Sequence, residues 1–328
     1  MPTSNSWDYN RTSGQIITAA LEDLGAVTAG ATVPSLLSAM ALTRLNLIVK
    51  QYQGRSDGSP GLKIHTRQRV TLFLQEGQQT YLIGPASTDA RATTRNGRTT
   101  IDVAEASGQT VLSVAATTDT TTEPGTTITM TAADIIGIEL DDGTIHWTTI
   151  ASVSAGDTVT VDDGIASAAA VGRYVWWFTS RAQRFPYIES AVLRNEDRND
   201  IPLDIYTDTN QYDLGVPSKY ADGTPSSILV EPLRITTRIT LDSQPTDVTD
   251  TIVLTVYYPS EDYDGTGDDV AFPQEALMFL TMELEFALSR HVGVWTPQHE
   301  QARQEARTMY LNLNPENTTA YFQPGESG

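Results

Sequence analysis

The chain contains no cysteine, which excludes disulfides, thiolate metal sites and cysteine nucleophiles together. It is also poor in positive charge: 21 Lys and Arg stand against 41 Asp and Glu, a formal net charge of -20 over 328 residues. Proteins that bind DNA without sequence preference need cations to displace counterions from phosphates. A surface this acidic repels duplex DNA and anionic membranes on average. The charge serves plain solubility, or a conduit wall to which DNA does not stick. No apolar run approaches the ~20 residues of a membrane span. Residues 1–10 carry Asp8 and lack a basic segment followed by an apolar one, so no signal peptide is expected. The expectation is a protein made in the cytoplasm and soluble until it assembles, with no membrane partner.

Catalytic spacings are missing too. There is no Gly-Lys-Ser/Thr phosphate loop, no His-Glu-x-x-His and no nucleophile elbow. The histidines are His65, His146, His291 and His299. His291 and His299 are separated by Gly293 and Pro297, which break any common helical face, and His146 alternates in a strand beside Trp147. The acidic run Glu261–Asp269 fails as a calcium loop. Counted from Asp262, the fifth and sixth places hold Thr266 and Gly267, but the twelfth, where a glutamate ligand belongs, holds Pro273. A solvated loop leading into a helix suits it better. No catalytic residue, cofactor or metal is expected, and the chain is read as not an enzyme.

What is present divides by periodicity. Thr12 and Gln15 have capping-box spacing, Ile16, Ile17, Ala20, Leu21 and Leu24 share a helical face, and Gly25 supplies a stop. A second helix is expected from about Pro34 to Tyr52, with Leu37, Met40, Ala41, Leu45, Ile48 and Tyr52 as its stripe. Val70–Leu74 and Thr80–Ile83 flank Gln75–Gln78 as a hairpin. From Pro85 to Gly172 the chain is rich in Thr, Ala, Ser and Val, with tight-turn signals at Asn96-Gly97 and Asp142-Gly143. The second turn would pair Ile135–Leu140 with Ile145–Ile150. Strands at Arg173–Phe178, Ala191–Leu193, Arg234–Leu241 and Thr251–Tyr258 are expected to continue one host sheet. Two C-terminal helices follow, one after Pro273 and one capped at Thr296-Pro297.

The expected fold class is α+β: a helical bundle from the N- and C-terminal helices, an attached antiparallel β-sheet, and an inserted small all-β domain of barrel or sandwich type. The expected organisation is 1–84, a helical hairpin and first β-hairpin; 85–172, the inserted all-β domain; 173–314, the rest of the core; and 315–328, a C-terminal tail. Arg181, Arg184, Arg194 and Arg198 cluster between Phe178 and Pro202, but Glu189, Glu196, Asp197 and Asp200 interleave with them. They are read as charge contacts between subunits rather than as a nucleic-acid patch. Trp7 and Tyr9 at one end, and Tyr321 and Phe322 at the other, are read as anchors on arms.

Several stretches carry a family resemblance: Leu45–Tyr52 closing the helical pair, the hairpin Val70–Ile83, Gly137–Ile150 with its Asp-Asp-Gly turn, Asp204-Ile205-Tyr206, Tyr212, Lys219, Asp222-Gly223-Thr224-Pro225, and Asp268-Asp269-Val270-Ala271-Phe272-Pro273 leading into the helix that ends at His291-Val292-Gly293. In order and spacing the chain resembles the head-to-tail adaptor (connector, or tail accessory) proteins of short-tailed bacteriophages. It departs from the pattern at Gln274–Leu277, where a tryptophan is expected, and at Asp242–Pro245, where an aromatic-proline turn is expected. The resemblance implies a homo-oligomeric ring, commonly of twelve subunits, beneath the portal protein in the virion neck. Such a ring extends the DNA channel without binding DNA specifically and offers a platform to the tail nozzle or tube and to tail fibres. It also implies a C-terminal segment, here bearing Tyr321 and Phe322, that docks into the portal. The competing readings are a carbohydrate-binding, adhesin-like β-rich virion protein and a virion-associated hydrolase.

Overall fold

The structure, a computed structural model, describes residues 9–53, 66–85, 87, 91–122, 126–218, 220–258, 260–270, 272, 274–292 and 295–313. Among these are five helices: α1 (Ser13–Asp23), α2 (Ser35–Gln53), α3 (Thr209–Gly215), α4 (Gln274–Val292) and α5 (Pro297–Leu313). The chain forms two compact units, one from 1–66 with 259–328 and the other from 67–258.

The first unit holds α1, α2, α4 and α5. Thr12 caps α1 in a capping box with Gln15, as its spacing requires, and Gly25 follows the helix at φ +68°. Ile16, Ile17, Ala20 and Leu21 of α1 share a core with Ala41, Leu45, Ile48 and Val49 of α2 and with Ala276, Phe279, Leu280, Leu284 and Leu288 of α4. Tyr310 of α5 stacks on Phe279 at 5.6 Å. The acidic loop 260–270 clasps these helices. The Ser13 and Gly14 N–H groups donate to the carbonyls of Asp268 and Thr266, both at 2.9 Å. Asn46 and the Tyr263 backbone exchange two hydrogen bonds of 2.9 Å, and Lys50 pairs with Asp262 at 2.7 Å. The Asp268 carboxylate is spent on the loop itself, accepting the N–H groups of Asp264 and Gly265 at 2.8 Å each.

The second unit is all β apart from α3. Its strands are β1 (Thr66–Phe73), β2 (Thr80–Ile83), β3 (Arg91–Thr93), β4 (Gly97–Thr100), β5 (Val111–Ser113), β6 (Thr118–Asp119), β7 (Ile128–Thr129), β8 (Ile135–Glu139), β9 (Ile145–Ser154), β10 (Thr158–Val161), β11 (Tyr174–Phe178), β12 (Tyr187–Arg194), β13 (Asp200–Pro202), β14 (Asp204–Tyr206), β15 (Ser227–Pro232), β16 (Thr237–Leu241) and β17 (Thr251–Tyr258). They form sheets ordered β13-β12-β17-β1-β3, β14-β15-β16-β2, β4-β11-β8-β9-β10-β5 and β6-β7. The first two share one core: Val70 and Leu72 of β1 and Ile252, Leu254 and Val256 of β17 pack with Tyr81, Ile228, Val230, Ile239 and Leu241. This is a two-layer sandwich. The six-stranded sheet curls into a half-barrel around Leu112, Ile136, Ile138, Ile150, Val159, Val175 and Trp177. Just beyond the ends of its edge strands a single bridge forms, where Asp102 N–H donates to Ser113 O and Ala115 N–H to Thr100 O, both at 2.9 Å.

This architecture corrects the expected fold class. The protein is β-rich, with 33% strand against 25% helix in four sheets, and is not a helical bundle with an attached sheet. The single host sheet is in fact two. The expected hairpin at 70–83 is a crossing between them, since β1 pairs with β3 and β17 while β2 pairs with β16. Strand β11 belongs to the half-barrel, between β4 and β8. The Asp142-Gly143 turn does join β8 to β9, with Gly143 at φ +86° and Glu139 opposite Ile145. Asn96-Gly97 is not a tight turn. Gly97 opens β4 without a side chain because a Cβ there would lie 2.1 Å from the Trp177 ring.

Two consequences can be measured. Gly97→Ala should cost about 1–3 kcal/mol, the usual range for overpacking, as a lowered urea midpoint; an unchanged midpoint would show that Trp177 yields freely. In the helical unit Glu285 is only 1% exposed. Burial, and then the neighbouring Asp23 carboxylate, push its pKa from 4.5 up to about 7. The folded state therefore holds a proton that the unfolded chain gives up. Its contribution is full below about pH 4.5 and is lost as pH rises through about 7. Glu285→Gln should gain in melting temperature relative to the unaltered chain as pH goes from about 5 to about 8; a gap that does not vary with pH would contradict this.

Candidate functional site

Helix α2 has two apolar faces. Ala41, Leu45, Ile48 and Val49 point into the core. On the opposite side, at helical spacing, lie Leu36, Ala39, Thr43 and Leu47, while Met40 between them packs against the core. Leu36 is 86% exposed and Leu47 is 56% exposed. This solvent face carries no charge between Ser35 and Leu47, with Arg44 at its flank. In a chain of net charge -20, an uncharged apolar helix face has the composition of a contact surface between proteins. Met278 of α4 and Met309 of α5 are further exposed large apolar residues of this unit.

Of the arginines read as intersubunit contacts, Arg184, Arg194 and Arg198 have partners within the chain. Arg194 holds Asp200 through two hydrogen bonds of 2.7 and 2.8 Å. Arg184 Nε donates to Leu233 O. Arg198, in the β12–β13 turn at φ +64°, reaches the Thr121 carbonyl and hydroxyl at 3.3 Å. The Nε of Arg181 is buried with no partner among the described residues. Arg194 and Arg198 line one cavity, while Arg181 and Arg184 do not reach it. The same cavity takes in Arg98 from β4, which sequence reading passed over: nothing local links Arg98 to residues nearly a hundred positions away.

Of the aromatic anchors, Tyr9 is exposed, and its hydroxyl accepts a hydrogen bond of 2.8 Å from Arg11 Nε. Trp7, Tyr321 and Phe322 lie outside the described residues, as does His65. His291 contacts Arg44 at 3.2 Å, and His299 meets the Thr296 hydroxyl at 3.0 Å at the start of α5. Among the described residues no three His, Asp or Glu side chains converge as metal ligands, and no helix is long and apolar enough to cross a membrane.

The most organised charged group lies between α4 and α5. Glu283 is buried and receives two hydrogen bonds of 2.8 Å from Arg303, whose guanidinium sits 3.8 Å from the Phe286 ring centre. The pair neutralises itself and offers no free group for chemistry. In the helical unit the candidate contact surface is therefore the outer face of α2. Compared with known proteins, the chain matches no family model and no curated relative.

Because its side chain faces solvent, Leu47→Gln should change folding stability by no more than about 0.5 kcal/mol, read as a nearly unchanged urea midpoint. A loss of several kcal/mol would place Leu47 in the core instead.

Proposed function

We propose that the chain is a structural virion subunit that closes side by side with copies of itself into a head-to-tail adaptor ring. The ring docks beneath a portal protein, extends the DNA channel and gives tail components a platform. The observation that carries this reading is the uncharged apolar outer face of α2. Such a face gains about 25 cal/mol for each Å² of apolar surface removed from water, and a ring supplies that cover by heterologous contacts that close. The resemblance to phage adaptors supports the reading through the order of its motifs. The net charge of -20 supports it independently, since acidic subunits around a bore let DNA slide without capture.

Native mass spectrometry of the purified chain, alone and with its portal, tests the proposal. The expected result is a closed homo-oligomer, of about twelve copies if portal symmetry is followed, with no retardation of duplex DNA at modest salt. A chain that stays monomeric with the portal present, or that binds duplex DNA tightly, overturns it.

A further inference from the structure

Three arginines from distant parts of the β unit line one cavity of about 80 Å³: Arg98 on β4, Arg194 on β12 and Arg198 in the turn after β12. No Asp or Glu lines it. In a chain where acids outnumber bases two to one, a wall with three cations and no acid is the reverse of the surface elsewhere. Only Arg194 has a carboxylate partner, Asp200, which engages its Nε and Nη2 and leaves Nη1 unused. Arg98 lies over the Tyr174 ring, 4.1 Å from its centre, and Arg198 touches only Thr121; neither has a carboxylate partner among the described residues.

Two further features mark this as a built site. Asn96 lines the cavity, is 8% exposed, and its side-chain amide has no hydrogen bond among the described residues. Its amide is not sealed away from the cavity, so it can donate to or accept from a group bound there. Behind the wall, Asp119 organises the loop. Its carboxylate accepts the Arg98 N–H at 2.9 Å, the Thr121 N–H and hydroxyl at 2.6 and 2.8 Å, and the Thr122 hydroxyl. Burial works to raise the Asp119 pKa, but the hydrogen bonds from Thr122, Thr121 and Arg98 outweigh it and hold it at about 2. Asp119 is thus consumed in fixing Arg98, Thr121 and Thr122, and does not neutralise the arginine heads.

We propose that this cavity binds a single tetrahedral oxyanion group, a phosphate or a sulfate, through the guanidinium groups of Arg98, Arg194 and Arg198 and the amide of Asn96. Guanidinium forks match the oxygen spacing of such anions and make strong charge-assisted hydrogen bonds to them. A cavity of about 80 Å³ has room for several water molecules, and so for one such group. The proposal does not depend on how the chain oligomerises.

Isothermal titration of the full chain in low-chloride buffer, with inorganic phosphate and separately with sulfate, tests it. The expected result is one saturable site per chain for at least one of them, with a dissociation constant at or below about 1 mM. Binding by only one names the group within the class. Arg98→Gln and Arg198→Gln should each weaken binding about tenfold or more, and Arg238→Gln, in the other sandwich layer, should leave it unchanged. If either variant fails to fold, the melting temperature of the unaltered chain decides. A site gives a rise that saturates at low millimolar anion, whereas the general stabilising effect of these ions keeps growing with concentration. No saturable binding of either anion, or binding that survives both substitutions, overturns the proposal.

Discussion

In the β unit strand β11 is buried on both faces and joins two of the unit's cores. Along β11 the side chains alternate: Val175 and Trp177 enter the half-barrel core, while Trp176 and Phe178 turn outward onto Phe73 of the sandwich strand β1. Phe73 stacks on Phe178 with 6.0 Å between ring centres, and Trp147 lies 5.3 Å from Phe73 and 5.9 Å from Phe178. Fully burying such side chains contributes about 1.5–3 kcal/mol each, and their mutual ring contacts add roughly 0.5–1.5 kcal/mol per pair. The seam also dictates where glycine must stand. Gly97 and Gly137 lie against the Trp177 and Trp147 rings, where a Cβ would come within 2.1 and 2.6 Å. The arginine cavity opens beside the seam and is lined by Phe73 and Trp176.

The helical unit solves a different problem. Its helices come from distant parts of the sequence, and the acidic loop ties them together, its carbonyls receiving the first N–H groups of α1 and its Asp262 pairing with Lys50 of α2. Gly14 permits this approach, since a Cβ there would stand 2.6 Å from Thr266 O. The buried Glu283–Arg303 pair and the proton-retaining Glu285 show that this unit carries ionisable groups inside, a weak basis for stability and a stronger one for fixing how helices register. What the unit leaves undone is the outer face of α2, where Leu36 and Leu47 have no cover among the described residues.

How much of this could be read from the sequence depended on how local each signal was. The α1 capping box and the β8–β9 hairpin involve residues a few positions apart, and both formed where the pattern placed them. The sandwich was not legible. Val70–Leu74 and Thr80–Ile83 look like a hairpin, but the choice between pairing with each other and pairing in separate layers rests on β16 and β17, more than 150 residues on. Strand β11 reads as a plain apolar run because both its faces are buried, so alternation gave no hint of which sheet it joins. Of the candidate site, the arginines near Arg194 were visible as a cluster, but their common cavity required Arg98. The α2 stripe was visible from one side only: Leu36 and Leu47 stand outside the stripe that was read as its core face.

The ring reading stands or falls on what covers α2 in an assembled particle. A reconstruction of the intact virion should show closed rings of this chain below the portal, with Leu36 and Leu47 buried against the neighbouring copy. A reconstruction with the chain elsewhere, or with that helix face open to solvent in every copy, would contradict it.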